Sequence, residues 1–347
     1  MSENEIYKQR CLQLAACGLG TTSPNPMVGA LLVCDGKIIG EGFHVQSGSP
    51  HAEVNAINSV KDPDLLTKST LYVSLEPCSH YGKTPPCAKL IIDKKIPKVV
   101  VACLDPNPQV SGRGINMLRE AGVEVVTGVL EQEARTLNKR FICYQENHRP
   151  YIILKWAQSL DGFIDKNDEH PVRLSDDRNL LEVHKMRAVE DAILVGKNTA
   201  LKDNPSLTAR LYAGKNPIRL LIDRRLQVPQ TTHLYDGDVP TIVFCERKGD
   251  SSKVEYVELD FSKDTTQQIL EYLYKINVKS LIVEGGCETL QRFIDAELWD
   301  EARIEYAPVV LCTGISAPKI DLKSAEIEQV GTSKVVHILK NKKYFSK

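Results

Sequence analysis

The first half of the chain alternates between segments of helical spacing and short apolar runs. Residues 5–18 repeat apolar positions every three or four residues and end at a glycine, which predicts a helix with a glycine C-cap. Apolar runs predict buried strands at 28–34 and 98–103, and Asp35-Gly36 predicts a hairpin turn after the first. Further strands are predicted at 37–42, 71–75 and 123–126, and further helices at 51–60, 87–94 and 114–121. This alternation predicts an α/β sandwich with a largely parallel sheet.

A polar segment that ends in proline, residues 145–150, separates this half from a second one. It predicts a domain boundary between 1–148 and 149–347. The second half carries apolar runs that predict strands at 151–156, 192–195, 219–223, 241–245 and 280–284, and helical patterns at 265–276 and 287–296. We expect an edge strand near 304–310. The predicted fold class is therefore α/β in both domains.

Length and charge agree with this division. The 347 residues correspond to roughly two domains of ~150 residues each. The first 148 residues carry 15 basic and 15 acidic side chains, and the remainder carry 29 and 30. Because phosphate contacts need clustered positive charge, the sequence disfavours a nucleic-acid partner.

Ten cysteines raise the question of disulfides. The first residues, MSENEIYKQR, contain no apolar signal segment, and no run of 18 apolar residues predicts a membrane span. We therefore expect a cytoplasmic protein without membrane partners, in which cysteines are core thiols or metal ligands. Eight of them lack metal-ligand spacing, at positions 11, 17, 34, 103, 143, 245, 287 and 312.

The strongest chemical signal joins His51, Glu53, Cys78 and Cys87. A histidine, two cysteines and a glutamate two residues after the histidine form the zinc-deaminase pattern, in which the metal activates water and the glutamate moves protons. A catalytic zinc keeps its fourth position open. We predict one Zn²⁺ per chain, bound by His51, Cys78 and Cys87, with Glu53 as the catalytic residue. The alternative is that His51 caps a helix and both cysteines are buried thiols.

The segment between the two cysteines, residues 79–86, has eight residues where the general deaminase signature has two. A loop inserted between two metal ligands lies at the rim of the site. His80 and Lys83 are therefore candidates for contacting a polar or anionic substrate, although both also fit a solvated loop.

Six motifs of the first half carry a family resemblance. They are Thr22–Gly29, Gly42–His44, His51–Val54, Leu75–His80, Lys83–Cys87 and Asp105–Gly114. Together they resemble the bifunctional riboflavin-biosynthesis family, in which a pyrimidine deaminase is fused to a pyrimidine reductase. The resemblance covers nearly the whole chain. It implies a cytidine-deaminase-like α/β sandwich followed by a dihydrofolate-reductase-like α/β domain.

The resemblance also implies roles in the first domain. The substrate would be the diamino-(phosphoribosylamino)pyrimidinone made from GTP. Glu53 would take a proton from the attacking water and pass it to the leaving ammonia. Asn25 would hydrogen-bond the pyrimidine, and such polar pairing discriminates against analogues that lack the paired group.

In the second domain, Glu284-Gly285-Gly286 follows a predicted strand and precedes a helix. A glycine turn at a helix N-terminus suits a dinucleotide pyrophosphate, although a tight strand–helix turn explains it equally well. Other segments match the reductase half of the family, namely Lys155, Ser159–Gly162, Ala192–Thr199 and Asp203–Arg210.

By position, the resemblance implies an NADPH site and a substrate site. The implied NADPH contacts are Ala157, Arg173, Thr199, Asp203, Arg224, Gly286, Cys287, Glu288, Thr289, Leu290, Gln291 and Arg292. The implied substrate contacts are Arg187, Leu207, Arg210 and Glu284. Guanidinium groups match phosphate oxygens, so the two arginines suit a phosphate clamp, although ordinary surface arginines are the alternative. Asp203 could instead cap the turn that follows it.

The sequence departs from the family in two places. Pro171 and Arg173 stand where the family usually has a serine and a tryptophan. Arg224 and Arg225 stand where a small residue is usual, and they either hold the 2′-phosphate of NADPH or mark a degraded site.

The leading hypothesis is consecutive deamination and NADPH-dependent reduction of a small phosphoribosyl-pyrimidine, with the ribose reduced at C1′. The alternatives are a deaminase with an inactive reductase domain, a nucleic-acid-editing deaminase, which the neutral charge disfavours, and a zinc-stabilised binding module. A structural zinc usually has four protein ligands, which disfavours the last. A homo-oligomer is compatible with the sequence but not specified by it.

Overall fold

The computed structural model describes residues 2–80, 85–107, 110–168 and 170–340. The chain divides into two compact units, the first ending at Asn147 and the second beginning at His148. Within these described ranges, no helix combines the length and the apolar character that a membrane crossing requires.

The first unit is a five-stranded sheet covered by helices. Its strands are β1 Gly29–Cys34, β2 Lys37–Phe43, β3 Thr70–Leu75, β4 Lys98–Cys103 and β5 Glu124–Val126. Its helices are α1 Glu3–Ala16, α2 Ala52–Asn58, α3 Cys87–Asp93, α4 Arg113–Glu120, α5 Glu131–Leu137 and α6 Lys139–Asn147. A 3₁₀ turn spans Pro63–Lys68. Apolar side chains of β1, β3 and β4 fill the core on both faces of the sheet.

The sheet of this unit has the order β2-β1-β3-β4-β5 and is only partly parallel. The predicted hairpin makes β1 and β2 antiparallel, and β1 is also antiparallel to β3, while β3, β4 and β5 are parallel. The chain passes from β2 through α2 to β3, which lies on the other side of β1. β1 is therefore antiparallel to both of its neighbours. The prediction of a largely parallel sheet was therefore wrong for this edge.

The second unit contains a nine-stranded sheet and a short two-stranded one. Its strands are β6 Tyr151–Ser159, β7 Phe163–Asp165, β8 Ala192–Gly196, β9 Ile218–Ile222, β10 Thr241–Cys245, β11 Glu255–Glu258, β12 Ser280–Val283, β13 Glu301–Ala307, β14 Ile315–Ser316, β15 Glu326–Val330 and β16 Ser333–Leu339. Its helices are α7 Asp177–Val189, α8 Lys197–Asp203, α9 Thr265–Lys275 and α10 Cys287–Asp295, with a 3₁₀ turn at His233–Tyr235.

The large sheet has the order β11-β10-β9-β8-β12-β6-β13-β16-β15. Its first seven strands are parallel, and β16 and β15 close it as an antiparallel hairpin. β13 is therefore an inner strand between β6 and β16, and the prediction of an edge strand there was wrong. The hairpin at 326–339, which the sequence analysis did not predict, covers that edge.

The strand order positions the functional end of this sheet. From β8 the chain proceeds outward through β9, β10 and β11, and then returns to place β12 between β8 and β6. Such a reversal opens a crevice at the carboxyl ends of the strands, which is where ligands bind in open α/β sheets. Gly196, at the end of β8, and Glu284, directly after β12, both lie there.

Candidate active sites

Three elements of the first unit bring His51, Cys78 and Cys87 together. His51 is the N-cap of α2, Cys78 follows β3, and Cys87 is the first residue of α3. At Gly42 an added Cβ would lie 2.4 Å from the backbone nitrogen of Ala56, so β2 and α2 are in direct contact, which fixes the position of α2 against the sheet. The histidine Nδ1 lies 3.6 Å from the Cys78 sulfur and 3.3 Å from the Cys87 sulfur.

These distances fit one tetrahedral zinc ion. Zn–N and Zn–S bonds of ordinary length place a nitrogen and a sulfur ligand about 3.5 Å apart. The three ligand atoms all lie within 4.8 Å of one another, and no second such cluster is present in the described part of the chain. His51 is exposed, Cys78 is half-buried and Cys87 is buried, so the cluster opens on one side.

The electrostatics of the cluster favour a thiolate. The Cys87 thiol and backbone N–H and the His51 ring all hydrogen-bond the Cys78 sulfur, and these contacts lower the pKa of Cys78 despite its burial. The same thiol–thiol contact raises the pKa of Cys87.

Glu53, in the first turn of α2, is only 3% exposed, and burial together with the nearby Cys78 charge raises the pKa of Glu53 to about 7.

Two of the three residues predicted to contact the substrate, Asn25 and His80, lie in the described part of the chain. Asn25 is half-buried, and its side-chain nitrogen donates to Nε2 of His44 at 3.1 Å. The other ring nitrogen of His44 donates to the Pro50 carbonyl at 3.2 Å, so His44 orients Asn25 as a neutral ring. The sequence motif Gly42–His44 includes His44, but no role was predicted for this residue. His80 is exposed, and Lys83 lies outside the described residues.

The second unit has a large cavity at the carboxyl ends of its parallel strands. Its volume is about 1890 Å³, whereas a site for one small ligand typically measures about 300–1,000 Å³. Every residue predicted to contact the cofactor lines it, as do Arg187, Leu207 and Glu284. Arg210 is not among the lining residues; it is exposed and donates to the Thr208 hydroxyl at 3.4 Å.

A buried charged triad lies in the wall of this cavity. Glu284 accepts from Lys155 Nζ at 2.9 Å and from Arg187 Nη2 at 2.7 Å. Burial alone would raise the pKa of Glu284, but the two cations hold it well below its usual range. Lys155 had no predicted role, since its partner is distant in sequence. The signal that could have found it is a lysine in an otherwise apolar buried strand.

The N-terminus of α10 borders the same cavity. Gly286, its N-cap, has φ +69°, and an added Cβ at Gly285 would lie 3.0 Å from the Thr199 hydroxyl. The two glycines therefore expose the first amides of α10, and such amides suit an anionic group.

Two departures from the family pattern also lie at this cavity. Arg224 pairs with Glu246 at 3.0 Å and lies over the Phe261 ring. Arg173 pairs with Asp177, and its side chain is 64% exposed. Neither guanidinium is buried in the cavity wall.

Comparison with known families finds one match within each of the two units. The family described as "Cytidine and deoxycytidylate deaminase zinc-binding region" matches residues 1–103. The family described as "RibD C-terminal domain" matches residues 150–336.

Whole-length relatives were also found. The riboflavin biosynthesis protein RibD of Aquifex aeolicus is 40% identical over 326 residues, which cover 92% of this chain and 91% of that protein. RibD of Escherichia coli is 34% identical, with 97% and 99% covered.

Among solved structures, a diaminohydroxyphosphoribosylaminopyrimidine deaminase/5-amino-6-(5-phosphoribosylamino)uracil reductase from Thermotoga maritima matches with a TM-score of 0.88 and 38% identity, covering 97% of this chain and 98% of that one. RibD of Acinetobacter baumannii matches with a TM-score of 0.88, 30% identity and the same coverage. The two domains, the cluster of His51, Cys78 and Cys87 (here called the metal cluster) and the cavity thus occur in a chain that belongs to the RibD family of riboflavin biosynthesis proteins.

Proposed function

We propose that this protein catalyses two consecutive steps of riboflavin biosynthesis. The first is hydrolytic deamination of 2,5-diamino-6-(5-phosphoribosylamino)pyrimidin-4-one, which releases ammonia. The second is NADPH-dependent reduction of the product to 5-amino-6-(5-phosphoribitylamino)uracil. The names of the relatives support both activities, and the ten free cysteines are compatible with a reducing cytoplasm.

Deamination is assigned to the first unit, with His51, Cys78 and Cys87 as the zinc ligands. When bound there, zinc supplies Lewis acidity, which makes water a stronger nucleophile near neutral pH. Glu53 is the proton carrier: its carboxylate accepts a proton from the attacking water and returns it to the departing amine. Its position two residues after His51, in the first turn of α2, supports this role.

Substrate recognition in this unit is assigned to Asn25, His80 and Lys83. His44 holds the Asn25 amide in one orientation, which leaves the amide oxygen of Asn25 to accept from the pyrimidine. A fixed amide discriminates between ring donors and acceptors better than a freely rotating one.

Reduction is assigned to the cavity of the second unit. A reductase of this family implies a nicotinamide cofactor, and such a cofactor supplies the hydride. We assign the pyrophosphate of NADPH to the amides at the start of α10 and its 2′-phosphate to Arg224 or Arg225. The volume of the cavity supports simultaneous binding of a dinucleotide and a phosphoribosyl substrate.

The chain's own groups at this site are Lys155, Arg187 and Glu284. Arg187, which lines the cavity, is assigned to the substrate phosphate, whereas the exposed Arg210 does not line it. Opening the sugar at C1′ leaves the ring oxygen in need of a proton, and Lys155 Nζ is a donor within the cavity wall that Glu284 holds in place.

The observation that carries the proposal is the His51–Cys78–Cys87 cluster with a buried Glu53 beside it. The test is to compare ammonia release from the phosphoribosylamino-pyrimidine, from cytidine and from a cytosine-containing oligonucleotide. We expect release only from the first substrate. Release from the oligonucleotide would instead favour an editing deaminase.

A second candidate, a deaminase with an inactive reductase domain, is favoured by Pro171 and Arg173 alone. Titration of the full chain with NADPH distinguishes the two candidates, because an inactive domain without cofactor affinity would give no binding signal.

A further inference from the structure

The carboxylate of Glu76 has no role in the chemistry described so far, yet it is almost fully buried beside the metal cluster. It follows β3 directly, two residues before Cys78, and is 4% exposed. A buried carboxylate is costly unless its oxygens accept hydrogen bonds. The hydrogen bonds of Glu76 therefore show which part of the chain its carboxylate stabilises.

Glu76 accepts from four backbone amides. One oxygen, Oε2, accepts from Asp105 at 3.3 Å and Gly112 at 2.9 Å. The other, Oε1, accepts from Gly114 at 3.0 Å and Ile115 at 3.3 Å. The donors lie at both ends of the loop between β4 and α4, so one carboxylate joins these two ends, at Asp105 and at Gly112.

The same contacts complete the start of α4. Its N-cap, Gly112, has φ +76° and no side chain to cap the helix. The free amides and the helix dipole at a helix N-terminus favour an anion. Glu76 supplies that anion from the segment that follows β3.

The backbone at Gly114 packs so closely against Pro77 that there is no room for a side chain. An added Cβ at Gly114 would lie 2.0 Å from the carbonyl oxygen of Pro77. The first turn of α4 thus contacts the residue that directly precedes the metal-ligating Cys78. Movement of this turn away from Pro77 would separate the loop from the metal cluster.

The loop places the carboxylate of Asp105 close to the site. The Asp105 carboxylate accepts from the backbone amide of Asn107 at 2.9 Å, which orders the first part of the loop. Asp105 is close enough to His80 and Cys78 to interact electrostatically with both. Residues 108 and 109 lie outside the described residues.

We propose that Glu76 is a positioning residue for deamination, which clamps the backbone of Asp105 and the first turn of α4 against the segment that carries Cys78, so that the Asp105 carboxylate forms part of the wall of the substrate site. This inference rests on the proposed deaminase function. The clamp acts on the loop and therefore on the affinity for the phosphoribosylamino-pyrimidine, whereas the metal ligands act on the reaction itself.

The test is Glu76→Gln in the full chain. The amide keeps one acceptor oxygen but turns an NH₂ group towards two backbone donors. We expect the KM of deamination to rise about ten-fold or more, because hydrogen bonds from backbone amides to a charged carboxylate oxygen are lost. The value of kcat should change far less, and zinc content and the reductase activity of the same chain should be retained. The matched control is Glu120→Gln, which makes the same change at the exposed far end of α4.

Hydrogen exchange supplies a readout that needs no activity. In Glu76→Gln, the amides of a peptide spanning 104–115 should exchange faster than in the unsubstituted chain, because their acceptor is weakened. Unchanged KM, or unchanged exchange in this peptide, would overturn the clamp. Loss of zinc would also overturn it, because Glu76 would then support the metal ligands.

A second variant covers the case in which Glu76→Gln fails to fold. Gly114→Ala keeps the carboxylate but pushes the first turn of α4 away from Pro77, and it should also raise KM with zinc retained. An unchanged KM in this variant would contradict the inference. If the unsubstituted chain released no ammonia, the proposed function would fail, while the exchange measurement would still decide on the clamp.

Discussion

The two units of this chain build their sites in opposite ways. The first gathers three metal-ligand atoms within 4.8 Å from residues that lie within 37 positions of one another, 51 to 87. The second lines a cavity of about 1890 Å³ with many residues drawn from 155 to 315. A site made of a few obligatory side chains fails when one is lost. A site made of many contacts should instead lose affinity in steps when its residues are substituted one at a time.

The largest effect is expected from a metal ligand. Cys78→Ser should lose most of the zinc and with it the deaminase activity, because a hydroxyl is a much poorer zinc ligand than a thiolate. Metal analysis of the purified protein measures this directly. Cys17→Ser, at an exposed free cysteine, is the control and should retain one zinc per chain. Full zinc retention in Cys78→Ser would refute the ligand assignment.

Glu53→Gln should retain zinc but lose deamination by about 10²–10⁴-fold, since the amide cannot carry a proton. Ammonia release gives the rate. Reduction of substrate that is already deaminated should proceed at the unsubstituted rate in the same preparation. If ammonia release stayed near normal, another residue would have to be the proton carrier.

Arg187→Ala should weaken the second site without abolishing it. The substitution removes one of two cations from Glu284 and one proposed phosphate contact. Hydrogen bonds between charged groups contribute about 1.5–3 kcal/mol, so we expect the KM of reduction to rise about 10–100-fold. Deamination by the same variant should be unchanged. An unchanged KM of reduction would remove Arg187 from the substrate site.

The paired substitution Arg224→Ala and Arg225→Ala should reduce the preference for NADPH over NADH by about ten-fold, as expected for loss of one charged hydrogen bond. NADH lacks the 2′-phosphate and serves as the internal control. Titration of the full chain with both cofactors gives the ratio. A preference that survives both substitutions would place the 2′-phosphate elsewhere.

The smallest effect is expected from Arg173→Ala. This guanidinium lines the cavity but pairs with Asp177, the first residue of α7, and is largely exposed, and exposed pairs of this kind contribute only about 0.2–1 kcal/mol. We expect NADPH affinity to change about two-fold at most. A large loss would show that Arg173 contacts the cofactor despite its pairing.

The sequence predicted most of the first unit because its strands are uninterrupted apolar runs. Lys98–Cys103 was predicted with its observed bounds, and the hairpin at Asp35-Gly36 was confirmed.

The helix at Asp177–Val189 was missed because its buried face includes Asn179, His184 and Arg187, which breaks the apolar periodicity. For the same reason β13 was misplaced, since Arg303 and Glu305 are buried within it.

The candidate sites show the same limit. Spacing alone brought out His51, Cys78 and Cys87, because few residue types can bind zinc. No spacing links Lys155 to Glu284, which are joined only by the parallel pairing of β6 with β12. The contacts of Glu76 with the start of α4 likewise depend on tertiary structure, and the Glu-Pro-Cys motif alone does not predict them.

The most direct test of the account is the mass of the products that the full chain forms from the diaminopyrimidine substrate, with and without NADPH. We predict that the zinc-loaded protein alone replaces one amino group by oxygen and stops there. With NADPH, the product should gain two further hydrogen atoms. A deaminated product that NADPH never converts would contradict the assignment of two activities to one chain, and an unchanged substrate in both samples would contradict the account as a whole.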